Sequence, residues 1–427
     1  MSDLSIDFCG IKSPNPFWLA SAPPTNTGEQ IMRAFDQGWG GAVWKTIGEP
    51  VTNVYSRFAA NNYEAKKITG FTNIELISDR PTEVNLKEIY EVKKRYPKHA
   101  VIASIMLNEK AKWQDMVKRC TDAGADGLEL NFGCPHGMCE RGMGSAIGQE
   151  PKVIKAITEW VKEVSKIPVL VKLTPNISDI AEPAKVAIRA GADGLALINT
   201  IKSISNINLD SLIGNPCVGD KFTSGGYSGA AVKPIALHML TQLAINKETQ
   251  VPFSGMGGIY NWRDAAEFIA LGATSLQVCT AVMHHGYGII QDMLKGLSDY
   301  LDSKGMQSVN ELRGKALSHY SSWGNLDLNY RVVAEIDASR CVGCQQCYIA
   351  CLDGGHQCIH TTKEPCQAYH GESDHAQNVR FKQQPQEHAK NPDSKVHVPF
   401  IQKEECIGCN LCSLVCPVGC IEMKEVK

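Results

Sequence analysis

The sequence predicts an α/β protein, a (β/α)8 TIM barrel followed by a small cysteine-rich domain. Three observations carry this. A helix–glycine–strand unit recurs, apolar runs alternate with amphipathic stretches over the first 300 residues, and eleven of the seventeen cysteines lie after residue 340.

The recurring unit is clearest in Ala123-Gly124-Ala125-Asp126-Gly127-Leu128-Glu129-Leu130-Asn131 and in Ala190-Gly191-Ala192-Asp193-Gly194-Leu195-Ala196-Leu197-Ile198-Asn199. A weaker copy is Leu271-Gly272-Ala273-Thr274-Ser275-Leu276-Gln277-Val278. Each reads as a helix ending at glycine, a tight turn and a buried strand. Further buried strands are expected at Trp18 to Ala22, Gly41 to Thr46, Val101 to Met106, Pro168 to Leu173 and Pro252 to Gly257. Helical periodicity fills the gaps at Gln30 to Gln37, Thr82 to Arg95, Lys152 to Val164 and Trp262 to Ile269. Strands alternating with helices imply βαβ units and parallel sheet. Eight strands in roughly 260 residues is the size of such a barrel. The competing doubly wound sheet lacks support, because no Gly-x-Gly-x-x-Gly follows the first strand.

At 427 residues the chain has room for a barrel and an appendage. A formal net charge of −2 gives no reason to expect nucleic acid or an anionic membrane as partner. No apolar run approaches the roughly 20 residues that cross a bilayer. The N-terminus lacks the basic and apolar segments of a signal peptide, so a cytoplasmic setting is expected. In a reducing compartment, clustered cysteines read as metal or cluster ligands, not disulfides.

In a barrel, the C-terminal strand ends share one mouth. They carry Ala20 and Ser21, Lys45 and Thr46, Asn131, Lys172 and Thr174, Asn199 and Thr200, Gly257 and Gly258, and Cys279 and Thr280. Such groups can hydrogen-bond a planar heteroaromatic ring or a phosphate. Gly255-Met256-Gly257-Gly258 and Val278-Cys279-Thr280-Ala281 end the last two strands, where backbone N–H groups often cradle phosphate. Gly225-Gly226-Tyr227-Ser228-Gly229 offers another close-approach turn. Lys45 and Lys172 at strand ends imply an anion, such as a reduced flavin, a phosphate or a solvated rim. A glycine-rich loop begins at Asn131-Phe132-Gly133-Cys134-Pro135-His136-Gly137-Met138. Its thiol can serve as nucleophile, ligand or proton donor, and Cys139 is the competing thiol. Cys9, Cys120 and Cys217 read as packing residues.

Residues 305–336 read as a connector between a barrel at 1–304 and a domain at 337–427. The latter opens with Cys341-x-x-Cys344-x-x-Cys347-x-x-x-Cys351 and ends with Cys406-x-x-Cys409-x-x-Cys412-x-x-x-Cys416-Pro417. Both runs have the bacterial ferredoxin spacing, in which the fourth cysteine ligates the other [4Fe–4S] cluster. A bacterial-type 2[4Fe–4S] ferredoxin-like domain follows. Cys341, Cys344, Cys347 and Cys416 would hold one cluster, and Cys406, Cys409, Cys412 and Cys351 the second. Paired zinc sites are the alternative. An insertion at about 352–405, with Cys358, Cys366 and several histidines, reads as polar surface chain. Clusters move single electrons, so two-electron chemistry in the barrel needs an adaptor. A flavin is one and a nicotinamide is not; a one-phosphate barrel suits FMN.

With Asn73-Ile74-Glu75-Leu76-Ile77-Ser78, Cys134-Pro135-His136-Gly137-Met138, Lys172-Leu173-Thr174-Pro175-Asn176 and the two cysteine runs, the chain resembles the dihydropyrimidine dehydrogenase family. The likeness is to the bacterial form that joins an FMN barrel to a ferredoxin module, and runs from about Ile11 to Met423. Dihydroorotate dehydrogenases share the barrel and the cysteine loop but not the tandem cluster module. The resemblance implies FMN contacts from Ala20, Ser21, Lys45, Thr46, Asn131, Lys172, Asn199, Thr200, Gly229, Gly257, Gly258, Cys279 and Thr280. It places Asn73, Glu75, Asn131, Asn199 and Thr200 on the pyrimidine ring, with Phe132 and Gly133 beside them, and makes Cys134 the catalytic acid.

The implied reaction is reversible reduction of uracil or thymine to the 5,6-dihydropyrimidine. Hydride passes from FMNH2 to C6, and Cys134 protonates C5. A thiol with an ordinary pKa near 8.5 suits that exchange. Amide side chains suit a ring of alternating N–H and C=O groups. No nucleotide-binding fingerprint occurs, so a separate FAD- and NAD(P)H-binding subunit and a hetero-oligomer are expected. Two alternatives stand beside this reading. One is a dihydroorotate dehydrogenase-like or other cyclic enone or amide reductase. The other is an electron-transfer scaffold with a vestigial barrel.

Overall fold

Continuous apolar runs bounded by turns form strands buried on both faces, the signature of parallel sheet under helices. In the computed structural model, which describes residues 2–63, 67–361 and 398–426, eight such strands close a barrel. They are β1 (Phe17–Leu19), β2 (Gly41–Ile47), β3 (Ala100–Ile105), β4 (Gly127–Asn131), β5 (Val169–Lys172), β6 (Gly194–Leu197), β7 (Phe253–Met256) and β8 (Ala273–Val278). Neighbours in sequence are neighbours in space, all pairs are parallel, and β8 closes on β1. Every residue of the eight strands is buried. The expected (β/α)8 barrel is therefore the observed one.

A helix follows each strand: Gly28–Gln37, Thr82–Arg95, Lys110–Asp122, Pro151–Lys162, Ala181–Arg189, Lys233–Ala244, Trp262–Ala270 and Ile289–Ser303. Local chemistry sets their starts. Thr27 accepts from the Gln30 N–H at 3.2 Å, which begins the first helix two residues before the periodicity does. Pro151 occupies the first turn of the fourth, where its missing N–H costs nothing. Asn261 caps the seventh, accepting from the N–H groups of Arg263 and Asp264. The helices bury Trp113, Phe268 and their neighbours against the strands.

The bottom of the barrel is closed by an antiparallel hairpin, Ile6–Phe8 with Ile11–Ser13. A Cβ on Gly127 would come within 2.8 Å of Ile11, and one on Gly194 within 2.8 Å of Cys9. Those glycines begin β4 and β6, so the hairpin seats on the strand N-termini. Ligands then have only the opposite end, where the sequence puts its polar groups.

One feature of the rim was not expected. Phe58–Tyr63, Lys67–Asn73, Gly225–Ser228 and Ile201–Ser203 form a four-stranded antiparallel sheet. It supplies one wall of the mouth, through Phe58, Phe71, Asn73, Tyr227 and Ser228.

The chain divides into two compact units, Met1–Tyr320 and Ser321–Lys427. The division falls inside the stretch read as connector, and Val332–Ile336 of that stretch is a strand of the second unit. It pairs antiparallel with Ile421–Glu425. Ile359–His360 pairs with Phe400–Ile401, and helices Gln346–Gly354 and Leu411–Leu414 complete the unit. Cys366 and the histidines between residues 362 and 397 lie outside the described residues, as does the Cys139 side chain. Among the described residues, no helix is long and apolar enough to cross a membrane.

Candidate active site and cluster cavities

The strand ends open into a cleft of about 1170 Å³, its mouth included. Ala20, Ser21, Lys45, Thr46, Asn73, Glu75, Asn131, Cys134, Lys172, Asn199, Thr200, Gly229, Gly257, Gly258, Cys279 and Thr280 all line it. Residues spread over 260 positions thus meet at one site because the barrel brings every strand end to the same face. Phe132 and Gly133, expected beside the substrate, do not line it.

Both lysines are buried, at 5% exposure each, and each meets a carboxylate of its own chain. Lys45 Nζ lies 2.9 Å from Glu75 Oε1, and Arg57 reaches the same oxygen at 2.9 Å. Lys172 Nζ lies 3.5 Å from Oε1 of Glu129, which is fully buried. The other Glu129 oxygen accepts from Gln277 at 2.8 Å, and Gln277 also donates to Ser254. Charges this deep persist only when paired. The two pairs therefore hold the ammonium groups at the cleft floor before anything binds.

An amide and hydroxyl network joins three strands. Asn131 donates to Thr46 Oγ1 at 3.0 Å and accepts from Asn199 Nδ2 at 3.0 Å. Thr46 bonds Ser104 at 2.9 Å and Ser21 at 3.2 Å. Asn199 accepts from the Thr200 N–H at 2.8 Å, and Asn73 donates to the Gly226 carbonyl at 3.0 Å. Each amide is fixed by one face and keeps donor or acceptor capacity for the cleft.

Cys134 opens the loop after β4. Its carbonyl accepts from the Ser145 N–H at 2.9 Å, and its thiol points to the His136 carbonyl at 3.5 Å. His136 Nε2 meets the Glu75 carbonyl at 2.9 Å, and burial pushes the imidazole below its ordinary pKa. Met138, 2% exposed, anchors the loop in a patch of Val51, Ile77 and Met106. The other cleft thiol, Cys279, is pushed up to about 12 by burial, so it stays protonated. Cys120 is fully buried in the barrel core and Cys9 packs against it, as read from sequence.

At the far end of the cleft the backbone comes very close. Gly229, Gly257 and Gly258 have φ of +125°, +124° and +74°. A Cβ on Gly229 would sit 2.4 Å from Gly70 Cα, and one on Gly258 2.8 Å from the Lys233 N. Only glycine suits both the torsion and the space. With Thr280, which donates to Ser228 at 2.9 Å, these turns make a cradle lined by backbone. A backbone cradle suited to phosphate at one end, fixed amides suited to a planar ring, and two ammonium groups on the floor together fit FMN. Gly229→Ala strains the cradle directly. The expected result is at least a tenfold loss of FMN affinity, read by fluorescence titration, with the far-ultraviolet circular dichroism unchanged.

The second unit holds two small cavities, of about 340 and 300 Å³. Cys351, Cys406, Cys409 and Cys412 line the first. Cys341, Cys344, Cys347 and Cys416 line the second. The fourth cysteine of each run thus faces the other run's cavity. The runs share one backbone curl: Gly343 and Gly408 have φ of +67° and +71°, and Gln345 and Asn410 follow at +58° and +67°. Zinc–sulfur bonds of about 2.3 Å would gather four sulfurs tightly about one ion. Sulfurs spread around a cavity fit a cluster instead.

The comparisons agree with this architecture. A family model described as dihydroorotate dehydrogenase matches residues 3–301, and one for a 4Fe-4S binding domain matches residues 399–422. The NAD-dependent dihydropyrimidine dehydrogenase subunit PreA of Escherichia coli strain K12 is 44% identical over 427 residues, covering 100% of this chain and 96% of that protein. The chain belongs to the dihydropyrimidine dehydrogenase family. Chloroplastic NADP(+) dihydropyrimidine dehydrogenase of Arabidopsis thaliana is 42% identical over 337 residues, 76% of this chain and 79% of that one. The catalytic subunit of dihydroorotate dehydrogenase B from Pyrococcus abyssi is 38% identical over 319 residues, 74% of this chain and 99% of that one.

In this dihydropyrimidine dehydrogenase family member, two site expectations need correcting. Phe132 is fully buried, with its ring 6.3 Å from Trp113 in the layer outside the barrel. Strand alternation turns it away from the cleft that Asn131 faces. Gly133 acts by its missing side chain, since a Cβ would lie 2.5 Å from Asn199. Sequence reading also missed Glu129 and Arg57. The signal for Glu129 was present: a lone carboxylate inside Gly127-Leu128-Glu129-Leu130. Arg57 carried none, because its partner Glu75 is set by the rim sheet.

Proposed function

We propose that the chain is the catalytic subunit of an NAD(P)-dependent dihydropyrimidine dehydrogenase, reversibly reducing uracil or thymine to the 5,6-dihydropyrimidine. The observation that carries this is the convergence of Cys134, Asn73, Asn131 and Asn199 on one cleft with a glycine cradle. Ala20, Ser21, Lys45, Thr46, Lys172, Gly229, Gly257, Gly258, Cys279 and Thr280 would hold FMN. FMN, when bound, supplies hydride chemistry at ring C6. The amides of Asn73, Asn131 and Asn199, with Thr200, offer donors and acceptors to the ring's alternating N–H and C=O groups. Cys134 holds the proton for C5 and takes it back in the reverse direction. Glu75, paired with Lys45 and Arg57, puts a carboxylate in the cleft where a ring carboxylate would want an added cation, which disfavours dihydroorotate.

Two [4Fe–4S] clusters occupy the two cysteine cavities in this reading, one on Cys341, Cys344, Cys347 and Cys416, the other on Cys406, Cys409, Cys412 and Cys351. Held there, they would supply one-electron transfer between the barrel and a separate FAD- and NAD(P)H-binding subunit. The lack of a dinucleotide fingerprint in the sequence and the naming of the Escherichia coli relative as a subunit support that arrangement. The test is anaerobic turnover with an artificial electron acceptor. Dihydrouracil should be oxidised at least a hundredfold faster than dihydroorotate. The reverse preference would move the chain to the dihydroorotate reading, and inertness toward both would leave it a scaffold.

A further inference from the structure

A [4Fe–4S] cluster takes four cysteines, yet five line each cavity. Cys358 joins Cys351, Cys406, Cys409 and Cys412 in one, and Cys420 joins Cys341, Cys344, Cys347 and Cys416 in the other. Both extra cysteines are buried, at 4% and 2% exposure. Cys358 Sγ lies 3.6 Å from Cys351 Sγ, and Cys420 Sγ lies 3.5 Å from Cys416 Sγ. We propose that Cys358 and Cys420 are reserve cluster ligands, each able to take over the iron held by the fourth cysteine of its own run.

Repetition argues against simple packing. Cys358 immediately precedes the strand Ile359–His360, and Cys420 immediately precedes the strand Ile421–Glu425. In both halves the chain runs from a helix bearing or ending near the fourth cysteine, through a turn, to an extra cysteine and an isoleucine. The turns draw back to the ligand: the Gln357 N–H donates to the Cys351 carbonyl at 3.2 Å, and the Cys420 N–H lies 3.4 Å from Cys416 Sγ. A buried cysteine can be a small hydrophobe. Packing alone, however, gives no reason for a second sulfur beside the same ligand in two halves whose turn lengths differ. The exchange balances without electrons. The Cys351 or Cys416 iron–sulfur bond breaks, its thiolate takes the proton that Cys358 or Cys420 gives up, and the new thiolate bonds the same iron.

The inference rests on the two-cluster reading, and iron content separates the two. The full-length chain, reconstituted anaerobically, is analysed for iron, sulfide and electron paramagnetic resonance, with flavin content as the check on folding. Unaltered chain should hold about eight irons; about four would refute the two-cluster reading itself. Given eight, Cys351→Ala and Cys416→Ala should each keep about eight with altered resonance lines. Cys351→Ala/Cys358→Ala and Cys416→Ala/Cys420→Ala should each fall to about four. A fall to four, or a three-iron signal, in the single variants would overturn the proposal. Should those variants not accumulate, Cys358→Ala and Cys420→Ala decide it, since both retain the two full runs. They should lose iron to a chelator at least threefold faster than the unaltered chain, and equal rates would refute it.

Discussion

Cys134→Ala should bind FMN as tightly as the unaltered chain and lose between two and four orders of magnitude in dihydropyrimidine turnover. The range is that of a positioned general acid. Its cofactor contacts survive because Cys134 sits on the loop after β4, while the cradle is built from Gly229, Gly257, Gly258 and Thr280. Its loop also stays seated, through the Ser145 bond to the residue-134 carbonyl and the Met138 anchor. The replacement therefore removes the proton and little else. The neighbouring buried thiol cannot substitute, since Cys279 is held up to about 12 and belongs to β8's end of the cleft. Steady-state turnover beside a flavin titration checks this. Turnover within threefold of the unaltered chain would remove Cys134 from the chemistry.

Lys172→Met should cost about 3–5 kcal/mol of stability, the usual effect of stripping one partner from a buried ion pair. Glu129 has no exposure, and among the described residues Lys172 is its one ion-pair partner, so its carboxylate would be left unpaired in the barrel interior. Met has a similar volume, which keeps the packing loss small. The pair can be isolated by Lys172→Met/Glu129→Gln, where both charges are gone. That double variant should recover most of the loss. Denaturant unfolding of flavin-free protein measures it, since bound FMN would add its own stabilisation. A loss below 1 kcal/mol in the single variant would mean that Glu129 is not charged in the fold. Because Lys172 also faces the cleft, the same variant should bind FMN poorly.

What could be read from sequence and what could not divide along physical lines. The barrel was legible because strands buried on both faces, such as Val169–Lys172 and Gly194–Leu197, must be apolar throughout. Thr82–Arg95 was legible to the residue because its apolar positions repeat at helical spacing. That each run's fourth cysteine lines the other run's cavity was legible because the runs carry the ferredoxin spacing. The rim sheet was not. Gly225–Ser228 is short and glycine-rich, and its pairing with Lys67–Asn73 joins residues over 150 positions apart, which leaves no local pattern. Side-chain direction at the end of β4 was also missed: Asn131 enters the cleft and Phe132 leaves it. Pairings such as Lys45 with Glu75 are tertiary facts, visible only once β2 and the rim are placed together.

The most direct test follows the flavin in a single turnover. The full chain, loaded with FMN and iron and reduced without oxygen, is mixed with uracil while flavin absorbance and dihydrouracil are recorded together. Uracil should reoxidise the flavin, with dihydrouracil formed in step. Flavin that stays reduced with uracil and thymine, or is reoxidised by orotate instead, would contradict the assignment.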